Sequence, residues 1–531
     1  MGRKLRVKLI TIPWELEVPT LALASLAAVT PEEYFEVCIV DVLRERLIIE
    51  EPTDLVGISA STPSINIAYA LADVYRDLGV KVVLGGHHVS AMPDEGLEHA
   101  DAVVCGEGET SWRRILDQML SNPSLVSGKY KDEVPDLTTL PQPRIDLMKI
   151  HRYSRFYYPV VASRGCPEFC SFCFAKKMTK GYRTYPISHV IEQVRSRPSW
   201  VKSIFFVDDN IAGDIEYTRE LFKQLKKYQI TFGIQARHEF SQDPYNLRLA
   251  KEAGCMVISS GYESINQDSL DKTAKRASAS LYKEIISNIQ KEGMVASGNW
   301  MFGFDWDTPS VFQETLEFLK ESKILHSSFT TEIPFPGTAS FRRYQKEGRI
   351  LTHDYDQYVG KDRVVIHPKM MSPTELQDGI RWLSTQYYSI KHRHQLAVYT
   401  ANNPAFFPFF KGVFRKPAIS FLNYSQVYLW RYRMVPSLRW LYFSLVKYNK
   451  YRHVSDLFRG TNFWHKSHRA SESNLFPFEE TNTPFLDIGG YKKSRKSALI
   501  PENLTSESLS NLKTEAVSDV AIGCTAKLKP D

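Results

Sequence analysis

Short apolar runs alternate with longer stretches of helical periodicity from the first residues onward. Runs at 5–10, 35–40, 55–59, 80–84 and 101–105 read as strands, each bounded by polar or turn residues. Between them, 20–28 reads as an apolar helix behind Pro19 and 64–78 as an amphipathic helix closed by Gly79. A third helix runs to about Leu120. This alternation predicts a parallel, doubly wound sheet, whose ligands bind at the carboxyl ends of strands. Those ends carry Ser59, Gly85-Gly86-His87-His88, a Pro93-Asp94 turn and Gly106-Glu107-Gly108-Glu109. Small residues there let backbone approach a ligand closely. Residues 122–150, with Asn122-Pro123, Pro135 and Pro141-Gln142-Pro143, read as a connector.

A second βα series follows. Strands are expected at 158–163, 203–207, 231–235, 257–260, 295–302 and 328–333. Helices are expected at 187–195, 217–228, 247–253, 281–292 and 310–322. Six strands suit a partial (β/α)6 barrel, and barrel enzymes place chemistry at the carboxyl ends of strands. Asp208-Asp209-Asn210, Arg237, Gly261-Tyr262-Glu263-Ser264, Gly303-Phe304-Asp305 and Pro334-Phe335-Pro336-Gly337-Thr338 fall at those ends. Beyond them a helix is predicted over 374–390, with Leu376, Ile380, Leu383 and Tyr387 on one face.

A length of 531 residues with 43% hydrophobic content allows about three domains with substantial cores. No run of about 18 apolar residues exists, so no transmembrane helix is expected. The N-terminus leads straight into a strand without the apolar region of a signal peptide. Gly2 is not read as a myristoylation site, because Arg6 stands where Ser or Thr is needed. Seven cysteines, three of them clustered, suit a reducing cytoplasm.

The net charge of +7 is local in origin. From Gly379 to Ser455 there are twelve Lys and Arg and no Asp or Glu, which leaves the remainder at −5. Residues 404–453 hold fifteen aromatics among nine Lys and Arg. Three readings stand: peripheral membrane contact with headgroups, nucleic-acid binding, or a helical cap with buried aromatics. The density of Phe exceeds what nucleic acid needs, which disfavours that partner. The chain is expected to be cytoplasmic, with contact at the inner face of the membrane if the first reading holds. Residues 466–531 lose periodicity and are expected to be disordered.

The chemistry centres on Ser163-Arg164-Gly165-Cys166-Pro167-Glu168-Phe169-Cys170-Ser171-Phe172-Cys173. Three thiolates at Cys-x3-Cys-x2-Cys spacing suit an iron–sulfur cluster. A cubane with three cysteines keeps one iron open to a small molecule. A zinc site would need a fourth ligand in a closed tetrahedron, and no Cys or His lies close by.

This motif, with Phe172 before the last cysteine, resembles the signature of the radical S-adenosylmethionine (SAM) superfamily. The resemblance implies a 4Fe-4S cluster on Cys166, Cys170 and Cys173 whose open iron chelates SAM. The reduced cluster then cleaves SAM to a 5′-deoxyadenosyl radical. It also implies SAM contacts from Phe172, from Asp208 or Asp209, and from Arg237, Glu263, Pro336 and Gly337. The first βα series is similar to the cobalamin-binding domain that precedes many radical SAM cores. This implies cobalamin contacts at Ser59, Gly85, Gly86, His87, Gly106 and Glu107. The Asp-x-His-x-x-Gly motif that ligates cobalt in classical cobalamin enzymes is absent, as in many radical SAM relatives.

The expected architecture is therefore α/β, in four parts. A Rossmann-like cobalamin-binding domain with linker (1–145) precedes a radical SAM core (150–365). A helical, basic-aromatic region (366–465) and a disordered tail (466–531) follow. Glu347-Gly348-Arg349-Ile350-Leu351 and His367-Pro368 through Pro373 resemble a segment found in enzymes acting on polycyclic lipids such as hopanoids. The expected function is cobalamin-dependent methyl transfer to an unactivated carbon of a lipid or natural product, with a peptide substrate also open. In that mechanism one SAM supplies the methyl group through cobalamin and another supplies the radical. A flavodoxin- or ferredoxin-type donor would reduce the cluster. The alternatives are a radical SAM cyclase or rearranging enzyme without methyl transfer, resembling anaerobic porphyrin cyclases, and a non-catalytic iron–sulfur or cobalamin sensor.

Overall fold

A computed structural model describes residues 3–403, apart from 13–18, 43, 46, 154–157 and 361–362. Two six-stranded sheets follow one another along the chain, and every pairing within them is parallel. The first comprises β1 (Leu5–Ile12), β2 (Phe35–Asp41), β3 (Leu55–Ala60), β4 (Lys81–Gly85), β5 (Ala102–Val104) and β6 (Gly128–Tyr130), in the order β2-β1-β3-β4-β5-β6. Parallel neighbours need crossovers, and helices Leu21–Ala28, Ile65–Asp77 and Glu109–Ser121 provide them. The winding reverses between β1 and β3, which opens a crevice at their carboxyl ends.

The second sheet comprises β7 (Tyr158–Val160), β10 (Ser203–Phe206), β11 (Thr231–Gln235), β12 (Cys255–Glu263), β13 (Val295–Phe302) and β14 (His326–Thr331). Its order is β14-β13-β12-β11-β10-β7, so each βα unit adds a strand to the same side. A short antiparallel pair, β8 (Ser163–Arg164) with β9 (Arg183–Thr184), stands apart. Buried apolar residues of both sheets and their helices, from Leu9 and Trp112 to Ile204, Ile258 and Trp300, form one continuous core.

The strand expected at 158–163 is two strands. Ala162 N donates to the Asp208 carboxylate (3.2 Å) instead of continuing the ladder, and β8 leaves the sheet to pair with β9. Pro93-Asp94, expected as a turn, opens the helix Pro93–His99, where the missing N–H of proline costs nothing. The helix expected at 374–390 runs Pro373–Tyr387, with Leu376, Ile380, Leu383 and Tyr387 all buried. It begins at a capping box of Ser372 and Glu375. Strand β6 and the helices His87–Ala91 and Ala339–Lys346 carry no pattern that predicts them, whereas Ile390–Asn402 is a helix within the stretch expected to be helical. Among the described residues no helix is long and apolar enough to cross a membrane. The readings of 404–453 and 466–531 lie outside the described residues.

Candidate cofactor sites

The cysteine loop leaves β8 through Gly165, whose φ is +82°. A side chain there would overlap the Gly181 carbonyl, so glycine is required by space as well as by conformation. The loop is tied down on several sides. Ser171 N donates to Thr273 O (2.9 Å), Ser340 N donates to Ser171 O (3.0 Å), and Cys173 N donates to Cys170 O (3.1 Å). All three thiols are free. Burial pushes each upward, Cys173 to about 11, although Cys173 keeps part of its surface exposed. Among the described residues no three His, Cys, Asp or Glu side chains converge closely enough for one metal ion. Zinc wants its thiolates about 2.3 Å from a single centre, whereas a cubane distributes them over separate irons.

The other residues singled out from sequence divide by what holds them. Asp208 is buried: its carboxylate accepts from Ser163 Oγ (2.5 Å) and from Ala162 N. Burial pushes it up to about 7, against the pull of those hydrogen bonds. Asp209 is also pushed up by burial but accepts from Gly165 N, at the root of the loop. Asp208 therefore braces strands, and Asp209 is the carboxylate turned to the cysteines. Arg237 is mostly buried; it pairs with Glu239 (2.5 Å) and donates to Lys275 O (3.0 Å) and Arg276 O (3.1 Å). Glu263 takes φ +64°, unusual for a non-glycine residue, at a register shift between β12 and β13. Its carboxylate accepts from the buried Lys275 Nζ (2.9 Å). Lys275 and Arg237 are cations near Cys170, and both draw that thiol's pKa down against burial. Phe172 lies 6.0 Å from Phe304 between ring centroids. Pro336 is buried, and Gly337 sits against Ala91 and Phe174.

A cavity of about 270 Å³ lies at the crevice of the first sheet. Ser59, Gly85, Gly86, Gly106 and Glu107 line it. Ser59 and Gly85 are register partners on β3 and β4. Gly86, at φ +101°, presses against the Ala60 carbonyl, where any side chain would clash. Ser90 ties the floor together, donating to Gly86 O (2.7 Å) and accepting from Gly106 N (2.9 Å). Leu21, Leu26 and Trp112 form an apolar wall, and Val161, Arg164, Met178, Thr179, Tyr185 and Val207 of the second half close the other side. His87 does not line the cavity. It meets Phe174 edge-on at 5.4 Å, and burial lowers its pKa. The Glu107 carboxylate is engaged by Arg164 (2.7 Å) and Arg183. Lys275 and Ser90 carry no motif that marks them in sequence, and Arg164 and Glu109, though within quoted motifs, have no role assigned there because each acts on the other across 55 residues.

Residues 7–116 match the family model of the B12 binding domain, and 160–319 that of the radical SAM superfamily. The chain is 30% identical over 358 residues to the bacteriochlorophyllide d C-8(2)-methyltransferase of Chlorobaculum tepidum, spanning 64% of this chain and 78% of that protein. It belongs to the cobalamin-dependent radical SAM methyltransferase family. The hopanoid C-2 methylase of Rhodopseudomonas palustris is 25% identical over 56% of this chain and 58% of that protein. Among solved structures, the cobalamin-dependent S-adenosylmethionine radical enzyme OxsB with aqua-cobalamin bound matches with a TM-score of 0.62. That match covers 90% of this chain and 82% of that one at 14% identity, a likeness of fold.

As a member of this family the chain is a radical SAM enzyme, with a 4Fe-4S cluster, SAM and cobalamin as its cofactors. The residues present fit that set. Three free thiols share one loop, and the cavity's glycine floor admits backbone contact that no other residue would allow at Gly86. The cavity is at the small end for ligand sites and would enclose one part of so large a cofactor as cobalamin.

Proposed function

We propose that this enzyme transfers a methyl group to an unactivated carbon of a polycyclic substrate, a tetrapyrrole or an isoprenoid lipid. The observation that carries the reading is adjacency: residues flanking the cysteine loop, Arg164, Met178 and Thr179, form one wall of the cavity in the B12-binding half. When bound, the cluster and SAM supply a radical that takes hydrogen from carbon, and cobalamin supplies the methyl group. Cys166, Cys170 and Cys173 would hold the cluster and leave one corner for SAM. Asp209 would accept the SAM ammonium by a charge-assisted hydrogen bond. Arg237 and Glu263, held by Lys275, would position the rest of SAM, while the strands exclude water. Ser59, Gly85, Gly86 and Gly106 would meet cobalamin through backbone. The substrate class rests on the relatives, which are named for bacteriochlorophyllide and hopanoid substrates. A one-electron donor would come from outside the chain.

The test is anaerobic turnover of the reduced, reconstituted enzyme with methyl-labelled SAM and a bacteriochlorophyllide or a hopanoid. Labelled product together with 5′-deoxyadenosine is expected. 5′-Deoxyadenosine with an altered but unlabelled product would instead indicate a cyclising or oxidising enzyme, the activity for which the anaerobic magnesium-protoporphyrin cyclase relatives are named.

A further inference from the structure

The loop Gly106–Glu109 of the first half reaches across to the root of the cysteine loop through buried ion pairs. Arg164, two residues before Cys166, donates to Glu109 with a two-point fork (2.6 and 3.2 Å) and to Glu107 (2.7 Å). Its Nε donates to Tyr185 OH (2.9 Å). Arg183, the register partner of Arg164, holds the other oxygen of Glu107 and donates to Pro135 O (2.9 Å). Side-chain exposures are 15% for Arg164, 5% for Glu107 and 6% for Glu109. Pairs this dry are geometrically demanding, and removing one partner strands a buried charge. The same side chains line the cavity, as do Met178 and Thr179 on the far side of the three cysteines. A ligand filling the cavity therefore touches both flanks of the loop that carries the thiols.

We propose that the cavity and the cysteine loop are one coupled site. Glu107 and Glu109 act as positioning residues that hold the loop through Arg164. Filling the cavity with cobalamin then strengthens cluster retention, and loading the cluster strengthens cobalamin binding by the same factor, as reciprocity of linked equilibria requires. This assigns Glu107 to the loop rather than to direct recognition of cobalamin. The inference rests on the reading of the cavity as the cobalamin site.

The experiment uses the full chain under anaerobic conditions. The Kd for hydroxocobalamin is measured by equilibrium dialysis on iron-free and on iron–sulfide-reconstituted protein. Iron loss to a chelator is timed with and without hydroxocobalamin. Coupling predicts at least about fivefold tighter binding to the reconstituted form and slower iron loss when hydroxocobalamin is present. In the double variant Glu107→Gln, Glu109→Gln the ratio of the two Kd values falls to about one. Arg183→Gln, which leaves the Arg164–Glu109 fork in place, is the milder variant should the double one fail to fold, and its ratio is expected below wild type. Equal affinities in the wild type overturn the proposal, as does a ratio unchanged in the variants that fold. Failure of both forms to bind hydroxocobalamin overturns the cobalamin reading as well; binding with equal affinities overturns the coupling alone.

Discussion

Asp208 and Asp209 are adjacent, yet their carboxylates do different work. Sequence placed both at the end of a strand and left them equivalent. The fold separates them, because one points into the strand ends and the other accepts from Gly165 at the loop. For Asp208 the sign of the pH effect follows from burial. Its folded carboxyl titrates near 7 against an ordinary value of 3.8, so between those values the folded protein keeps a proton that the unfolded chain has released. Its contribution to stability is complete below the lower value and is lost as pH rises through about 7. Asp208→Asn, which mimics the protonated form, is expected to flatten the fall of Tm between about pH 4 and pH 7. A Tm profile parallel to that of wild type would contradict this. The cysteines were legible at once, because their spacing is the chemistry. Lys275 was not: a lysine in a loop has no sequence mark that it will be buried against Glu263 beside Cys170.

At the scale of elements, strong periodicity carried well. The strands Thr231–Gln235 and Val295–Phe302 and the helix Ile187–Arg195 have the ends their patterns predict. Elements of a few residues did not, since Gly128–Tyr130 and His87–Ala91 are too short for a period to register. Their positions come from tertiary contacts, and these short pieces shape the sites. The helix Ala339–Lys346 brings Ser340 N to the cysteine loop, and Thr338 caps it, with Oγ accepting from Phe341 N (3.1 Å). Thr338→Ala is expected to cost about 0.5–2 kcal/mol, seen as a lowered Tm. At Gly86 the penalty is conformational and steric together. Gly86→Ala is expected to cost about 1–3 kcal/mol and to weaken hydroxocobalamin binding; unaltered Tm and affinity would mean the strand end can shift away from Ala60.

Over the whole molecule, both fold halves could be read from the alternation of strands and helices, and the strand orders bear out a doubly wound sheet followed by a one-directional βα series. How the halves meet could not be read. The contact depends on Glu107 and Glu109 finding Arg164 more than fifty residues later, and on Phe174 meeting His87. Charge pairs at such separations leave no periodic trace in sequence. The basic, aromatic stretch at 404–453 lies beyond the described residues, and its partner is a matter for vesicle-binding measurements. The central claim, that one chain assembles a radical-generating cluster beside a methyl-carrying cofactor, is tested most directly by a cofactor count on anaerobically reconstituted protein. The account predicts about four iron and four sulfide per chain, together with about one bound cobalamin. Four iron with no cobalamin, even when it is supplied in excess, would contradict it.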